Sequence, residues 1–316
     1  MTEPVVKIRD IAYVRLRVPD LDAMEKYLLD FGMQPSARTG TALYMRGSGS
    51  SHHLHISEKA DEAGLAAFGF LAANAADLDA LSKVAGASAV HDIDEPGGGR
   101  RVVIHDPWGT RIELVHGIAA VEALPARRTD LFNFGRRVER RGAVTRVGEG
   151  PAEVMRLGHG GINVGDPDAA FDWYHAHFGI LRSDAIAIGD FTLALFCRCD
   201  RGSEYTDHHT FLLARSMDGS TGLNHVSYEV ANLDDVWVGH EHLAGQGYRH
   251  TWGIGRHTLG SQIYDYWRDP WGQIHEHYTD GDLLDAAYVG GVHSPEEGDS
   301  QWGPAMPADF GQTIPA

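Results

Sequence analysis

Two histidines and a carboxylate, His159, His225 and Glu276, lie at intervals of 66 and 51 residues in the second half of the chain. Each sits in a short segment with strand-like alternation. In LGHGGINV, His159 shares a face with Gly161 and Asn163, while Ile162 and Val164 take the other. In NHVSYEV, His225 shares a face with Ser227 and Glu229, and in GQIHEHY, Glu276 points away from His275 and His277. Three such strands curled into a trough would bring two imidazoles and one carboxylate to a point. That donor set is the facial triad that leaves coordination positions open for reactants. Imidazole with hard oxygen suits Fe(II), with Mn(II) as the alternative. An ion with open positions sets two reactants side by side.

A lone strand histidine is more often an ordinary polar residue than a ligand. What lifts these three is an internal repeat. DPWGTRIE at 106–113 returns as DPWGQIHE at 269–276, and RLRVPDLDAMEKYLLDFGM at 15–33 as GINVGDPDAAFDWYHAHFGI at 161–180. GLAAFGFLAANAADLDAL at 64–81 answers GLNHVSYEVANLDDVWV at 222–238, and SHHLHIS at 51–57 answers DHHTFLL at 207–213. The offsets rise in order as 146, 156, 158 and 163 residues, so the second copy carries only small insertions. Aligned this way, His159 faces Tyr13, His225 faces Ala67, and Glu276 faces Glu113. One copy holds the whole triad and the other only its carboxylate, so the first half is expected to hold no metal.

Each copy reads as two strand–helix–strand units, giving an α+β fold of two tandem domains built from paired βαβββ modules. The expected boundaries are an N-terminal domain over 1–117, a linker over 118–153, a C-terminal metal-binding domain over 154–289, and a tail over 290–316. The tail is rich in Gly, Pro, Asp and Ser and reads as irregular, anchored by Trp302 and Phe310.

At these residues the sequence resembles the type I extradiol ring-cleavage dioxygenases of the vicinal oxygen chelate superfamily. That group includes catechol 2,3-dioxygenases and 2,3-dihydroxybiphenyl 1,2-dioxygenases. The resemblance covers roughly residues 7–290. Three further motifs carry it: Asp207-His208-His209-Thr210 before the second ligand, Gly253-Ile254-Gly255-Arg256-His257, and Tyr266 ahead of Asp269-Pro270-Trp271-Gly272. One departure is Thr258-Leu259-Gly260, where biphenyl-type members often carry an acidic residue.

The resemblance implies Fe(II) on His159, His225 and Glu276, with a substituted catechol and O2 as substrates. It implies a muconic semialdehyde-type product and a homo-oligomer. His209 becomes the candidate that stabilises charge on oxygen and supplies a proton. His257 and Tyr266 become the candidates that bind the catechol and handle its hydroxyls. Plainer readings stand beside these: His52-His53 occupies the place of His208-His209 in the other copy, and Tyr266 lies among strand aromatics. Glu229 or Asp207 could orient an imidazole. The competing functions are a glyoxalase-type isomerase or lyase, a 2-oxo acid dioxygenase, and a non-enzymatic ligand-binding member. The set of His209, His257 and Tyr266 favours ring cleavage.

The bulk properties narrow the setting. A net charge of −17 argues against nucleic acid or an anionic membrane as partner. The one basic cluster, Arg127, Arg128, Arg136, Arg137, Arg140 and Arg141, falls in the linker and reads as solvated or inter-subunit. No uncharged apolar run approaches the roughly 18 residues of a membrane span. The two cysteines, Cys197 and Cys199, share a strand face and read as buried thiols, so a soluble cytoplasmic protein is expected.

Overall fold

The computed structural model describes residues 3–127 and 132–312, so Arg128 of the basic cluster and both chain ends lie outside the described residues. The first half contains two βαβββ units. Strand β1 (Ile8–Val18), helix α1 (Leu21–Asp30) and strands β2 (Gln34–Arg38), β3 (Ala42–Arg46) and β4 (His55–Lys59) form one. Strand β5 (Gly64–Ala72), helix α2 (Ala75–Leu81) and strands β6 (His91–Asp92), β7 (Arg100–His105) and β8 (Arg111–His116) form the other. A small hairpin, β9 (Asn133–Phe134) and β10 (Arg137–Val138), follows.

The second half repeats the pattern. Its first unit is β11 (Val154–Val164), α3 (Pro167–Phe178), β12 (Leu181–Ile188), β13 (Phe191–Arg198), the short β14 (Thr206–Asp207) and β15 (Phe211–Arg215). Its second is β16 (Gly222–Val230), α4 (Leu233–Gly245), β17 (Arg249–His257), β18 (Ile263–Arg268) and β19 (Ile274–Thr279). Three short strands follow: β20 (Leu283–Leu284), β21 (Val292–His293) and β22 (Ser300–Trp302).

The sheets show the duplication directly. The first runs β2-β3-β4-β1-β5-β8-β7-β6, and the core of the second runs β12-β13-β15-β11-β16-β19-β18-β17. The α+β fold of paired βαβββ modules is the one the repeat implied. One expectation fails. The tail is not wholly irregular, because β21 pairs with β12 and β22 with β17 at opposite edges of the second sheet. Those edges offer unpaired backbone groups that an adjacent extended segment satisfies whatever its side chains.

Local signals account for the helices. Asp20 caps α1 by accepting from the N–H groups of Asp22 and Ala23, and Asp166 caps α3 ahead of Pro167 in the same way. Helix α3 stops at Gly179, whose φ of 69° suits a residue without a side chain. Among the described residues no helix is long and apolar enough to cross a membrane.

The two halves share one buried core. Phe68 and Phe70 of β5 pack edge-on against Phe211, and Phe70 against Phe178, at centroid distances of 5.3–5.4 Å. Burying each such ring contributes about 1.5–3 kcal/mol. A Cβ on Gly160 would lie 2.3 Å from the Phe68 ring, so glycine beside His159 lets the halves close. His275 and His277 also serve this interface. His277 stacks on Phe31 at 3.8 Å and donates to its carbonyl, while His275 lies against Tyr228 and His55. The histidines that flank Glu276 thus point away from it, as alternation required.

Candidate active site

The triad rests on three neighbouring strands, β11, β16 and β19. Register aligns His159 with Ser227 and Ser227 with Glu276, and places His225 opposite Gly161 on the same face. His159 Nε2 lies 3.1 Å from His225 Nε2 and 3.2 Å from Glu276 Oε2, and His225 Nε2 lies 3.8 Å from the same oxygen. All three side chains are buried. Neither Glu276 oxygen has a well-formed hydrogen bond. A buried carboxylate left in that state is costly. A divalent ion among the three donors removes the cost, so the residues fit a metal.

The electrostatics suit ligation. Burial pushes the Glu276 carboxyl up, but His159 and His257 outweigh it and hold the group well below the usual carboxylate range. Burial, with His159 adding to it, pushes His225 down to about 3, so at neutral pH its imidazole is uncharged. Its tautomer is set as well. His225 Nδ1–H donates to Asn224 Oδ1 at 2.6 Å, leaving the Nε2 lone pair for the centre. Asn224 donates to Asn163 Oδ1 at 2.7 Å, and Asn163 donates to the Gly311 carbonyl at 2.8 Å. The tail therefore buttresses a triad histidine.

His209 lies against the triad, its ring centroid 4.1 Å from that of His159. Behind it stands His208, whose Nε2 is 2.8 Å from Asp184 Oδ2 and whose Nδ1 is 3.0 Å from His209 Nδ1. An ionised carboxylate only accepts, so His208 donates through Nε2 and, when neutral, accepts through Nδ1. His209 then carries its proton on Nδ1 and keeps the lone pair of Nε2. Burial, with His159 and His208 adding to it, holds His209 well below the ordinary imidazole range.

His257 and Tyr266 form the other wall. Their Nε2 and hydroxyl oxygen are 2.9 Å apart, and His257 Nε2 is 3.7 Å from Glu276 Oε1. Burial and the Glu276 charge push the Tyr266 phenol well above its ordinary range, so it keeps its proton. These five polar rings open onto a cavity of about 530 Å³. Phe196, Leu212, Trp252, Leu259, Met306 and Phe310 give it an apolar wall, and Arg215, Glu296 and Asp299 also reach it. Leu259 is the residue of the Thr-Leu-Gly departure, so the departure adds apolar surface.

The structure brings together all six residues named from sequence, and corrects two lesser expectations. Glu229 and Asp207 orient no imidazole: both pair with Arg156, Asp207 through two hydrogen bonds of 2.7 and 2.8 Å. The residues that orient the histidines are Asn224 and Asp184. Asn224, directly before His225 in LNHVSYEV, could have been noticed, whereas Asp184 carries no motif and reaches His208 only through folding.

In the first half, guanidinium groups surround the unmatched carboxylate. Glu113 accepts from the Tyr13 hydroxyl and pairs with Arg111 at 2.6 Å, Arg101 at 3.4 Å and Arg15 at 3.6 Å. Both cysteines are buried free thiols, pushed well above the ordinary range by burial.

Comparison with known proteins extends these observations. The chain is 30% identical over 310 residues to metapyrocatechase 2 of Cupriavidus necator, covering 96% of this chain and 91% of that protein. Its fold matches homoprotocatechuate 2,3-dioxygenase of Brevibacterium fuscum in complex with 3,4-dihydroxyphenylacetate (TM-score 0.81, 20% identity, 98% and 93% covered). It also matches the Mn(II)-bound glyoxalase of Novosphingobium aromaticivorans (TM-score 0.76, 23% identity, 97% and 98% covered). The model of the Glyoxalase/Bleomycin resistance protein/Dioxygenase superfamily matches residues 10–114 and 156–276, one segment in each repeat. With the duplicated sheet, the eroded first copy and the buried triad, this chain belongs to that superfamily.

Proposed function

We propose that this protein is an extradiol dioxygenase that opens the ring of a substituted catechol with O2, next to its two hydroxyls, giving a muconic semialdehyde-type product. The observation that carries the reading is the convergence of His159, His225 and Glu276, with both histidines lining a cavity that also holds His209, His257 and Tyr266. The similarity to metapyrocatechase 2 over nearly the whole chain supports it. The three donors would hold a divalent ion, which we assign as Fe(II) from the imidazole–carboxylate donor set, with Mn(II) as the alternative. Bound there, the ion supplies the positions at which a catechol and O2 meet.

The protein's own groups do the rest. Tyr266, kept as a phenol, donates towards an oxygen of the substrate, and His257 beside it accepts or returns a proton. His209, with its Nε2 lone pair free, takes up at that nitrogen a proton released by a catechol hydroxyl. Its lowered affinity for protons makes it give that proton back to an oxygen gaining negative charge. The apolar wall excludes water and packs the ring substituents.

Fold likeness extends to a glyoxalase, so the architecture alone does not select the reaction. The trio of His209, His257 and Tyr266 favours ring cleavage. The deciding experiment incubates anaerobically purified, iron-loaded protein with substituted catechols and O2. A yellow semialdehyde is expected, whereas a cis,cis-muconate would mean cleavage between the hydroxyls and end the assignment. A homo-oligomer in the cytoplasm completes the reading. Exposed apolar residues at Leu283, Tyr288, Val289 and Val292 support assembly, which light scattering tests.

A further inference from the structure

A second group of ligating side chains lies behind the active-site wall, on the other face of strand β18. Asp265 and Trp267 alternate with Tyr266, so they point to helix α4 while Tyr266 faces the cavity. His240 of α4 and His250 of β17 converge on the buried Asp265 carboxylate. His240 Nδ1 lies 3.2 and 3.1 Å from its two oxygens, and His250 Nε2 lies 2.8 Å from Oδ1. One donor atom from each residue lies within 4.8 Å of the other two. A tetrahedral zinc ion, with ligands at about 2.0–2.2 Å, holds its donors roughly 3.3 Å apart, so the group needs only small adjustments.

Two features point beyond a simple ion pair. Trp267 Nε1–H, fully buried, donates to Asp265 Oδ2 at 2.5 Å and fixes the carboxylate's orientation, as groups behind metal ligands do. The histidine side chains stay 29% and 32% exposed, which gives an ion an entry from solvent and leaves a position for water. The fold does not require the carboxylate. Val103 pairs with Glu113 as Tyr266 pairs with Glu276, so the first half places the buried Val102 where the second has Asp265. A charge in a place where the sister module keeps valine is costly unless cations or protons compensate it.

We propose that His240, His250 and Asp265 form a second, non-catalytic site for a divalent transition ion of the Zn²⁺ class. The ion ties α4 to the β17–β18 hairpin, whose opposite face carries His257 and Tyr266. The test titrates iron-loaded holoenzyme with Zn²⁺, following binding by calorimetry and both metals by elemental analysis. One zinc per chain should bind with iron retained, raise the Tm, and show nitrogen and oxygen ligation by X-ray absorption. His240→Ala and His250→Ala should each weaken zinc binding about 100-fold or more while iron content and ring cleavage stay unchanged. Should either alanine variant misfold, the iron-loaded His240→Gln/His250→Gln double variant replaces it. Zinc that binds only by displacing iron, binds equally in the variants, or does not bind at all overturns the site.

Discussion

His208 Nδ1 stands 3.0 Å from His209 Nδ1, and this one contact links a carboxylate remote from the cavity to the imidazole that lines it. Because Asp184 can only accept, it selects the Nε2–H tautomer of a neutral His208 and through it the Nδ1–H tautomer of His209. Asp184→Asn can offer an amide N–H to His208 and reverse both tautomers. We expect iron content and catechol KM to be kept while kcat falls roughly 10–100-fold, within the worth of a positioned acid–base. Asp184→Glu should recover part of the loss. Nitrogen-15 NMR of the His209 ring separates the tautomer effect from loosened packing, and an unchanged tautomer in Asp184→Asn would remove the relay.

Iron should be lost when His159, His225 or Glu276 is changed to alanine. Metal analysis after anaerobic purification checks this, and any variant that keeps stoichiometric iron takes its residue out of the ligand set. Tyr13→Phe and Glu113→Gln should leave iron unaltered, although the second leaves three arginines short of a counter-charge and should lower stability.

His209→Gln should keep iron and catechol affinity and lower kcat by roughly 10²–10⁴, with kcat/KM falling in parallel. The control is His53→Gln. The His52–His53 pair repeats the His208–His209 contact at the same 3.0 Å but faces no triad. Equal, near-normal turnover per bound iron in the two variants would show that His209 only holds the fold.

His53 also gives a pH prediction. Burial, with His52 adding to it, pushes its folded pKa down to about 3, against about 6.5 in an unfolded chain. Between those values the unfolded state binds the extra proton, so His53 costs no stability above about pH 6.5 and progressively more as pH falls towards 3. The unfolding free energy of His53→Gln should therefore fall less steeply in that window, by up to about 1.4 kcal/mol per pH unit. Identical slopes for variant and parent would place the proton uptake elsewhere.

Asn224→Ala should weaken iron binding roughly 10–100-fold by freeing the Nδ1 side of His225. Phe310→Ala should instead raise catechol KM with iron unchanged, because Phe310 packs on Tyr266 at 4.9 Å and on Trp252 at 5.1 Å in the apolar wall. Dialysis against a chelator separates the first effect, and steady-state kinetics the second. If Phe310→Ala loses iron and keeps KM, the tail acts through Gly311 and Asn163 rather than through the wall.

The duplication, the module order and the strand faces that carry His159, His225 and Glu276 were legible along the chain. Period-two alternation and collinear motifs are local properties, readable before any folding. The resemblance carried by the flanking motifs added His209, His257 and Tyr266. Which groups orient those rings follows only from how the chain closes in space. Asp184 meets His208 across 24 residues, and Gly311 reaches Asn163 across 148. Arg156 takes up the two carboxylates, Glu229 and Asp207, that had stood as candidates to orient an imidazole. Hydrogen-bond partners of buried side chains follow from where sheets and tail close in space, and no periodicity along the chain encodes that closure. The His240–His250–Asp265 group was silent for the same reason: a helix residue and two strand residues become neighbours only when α4 packs on its sheet.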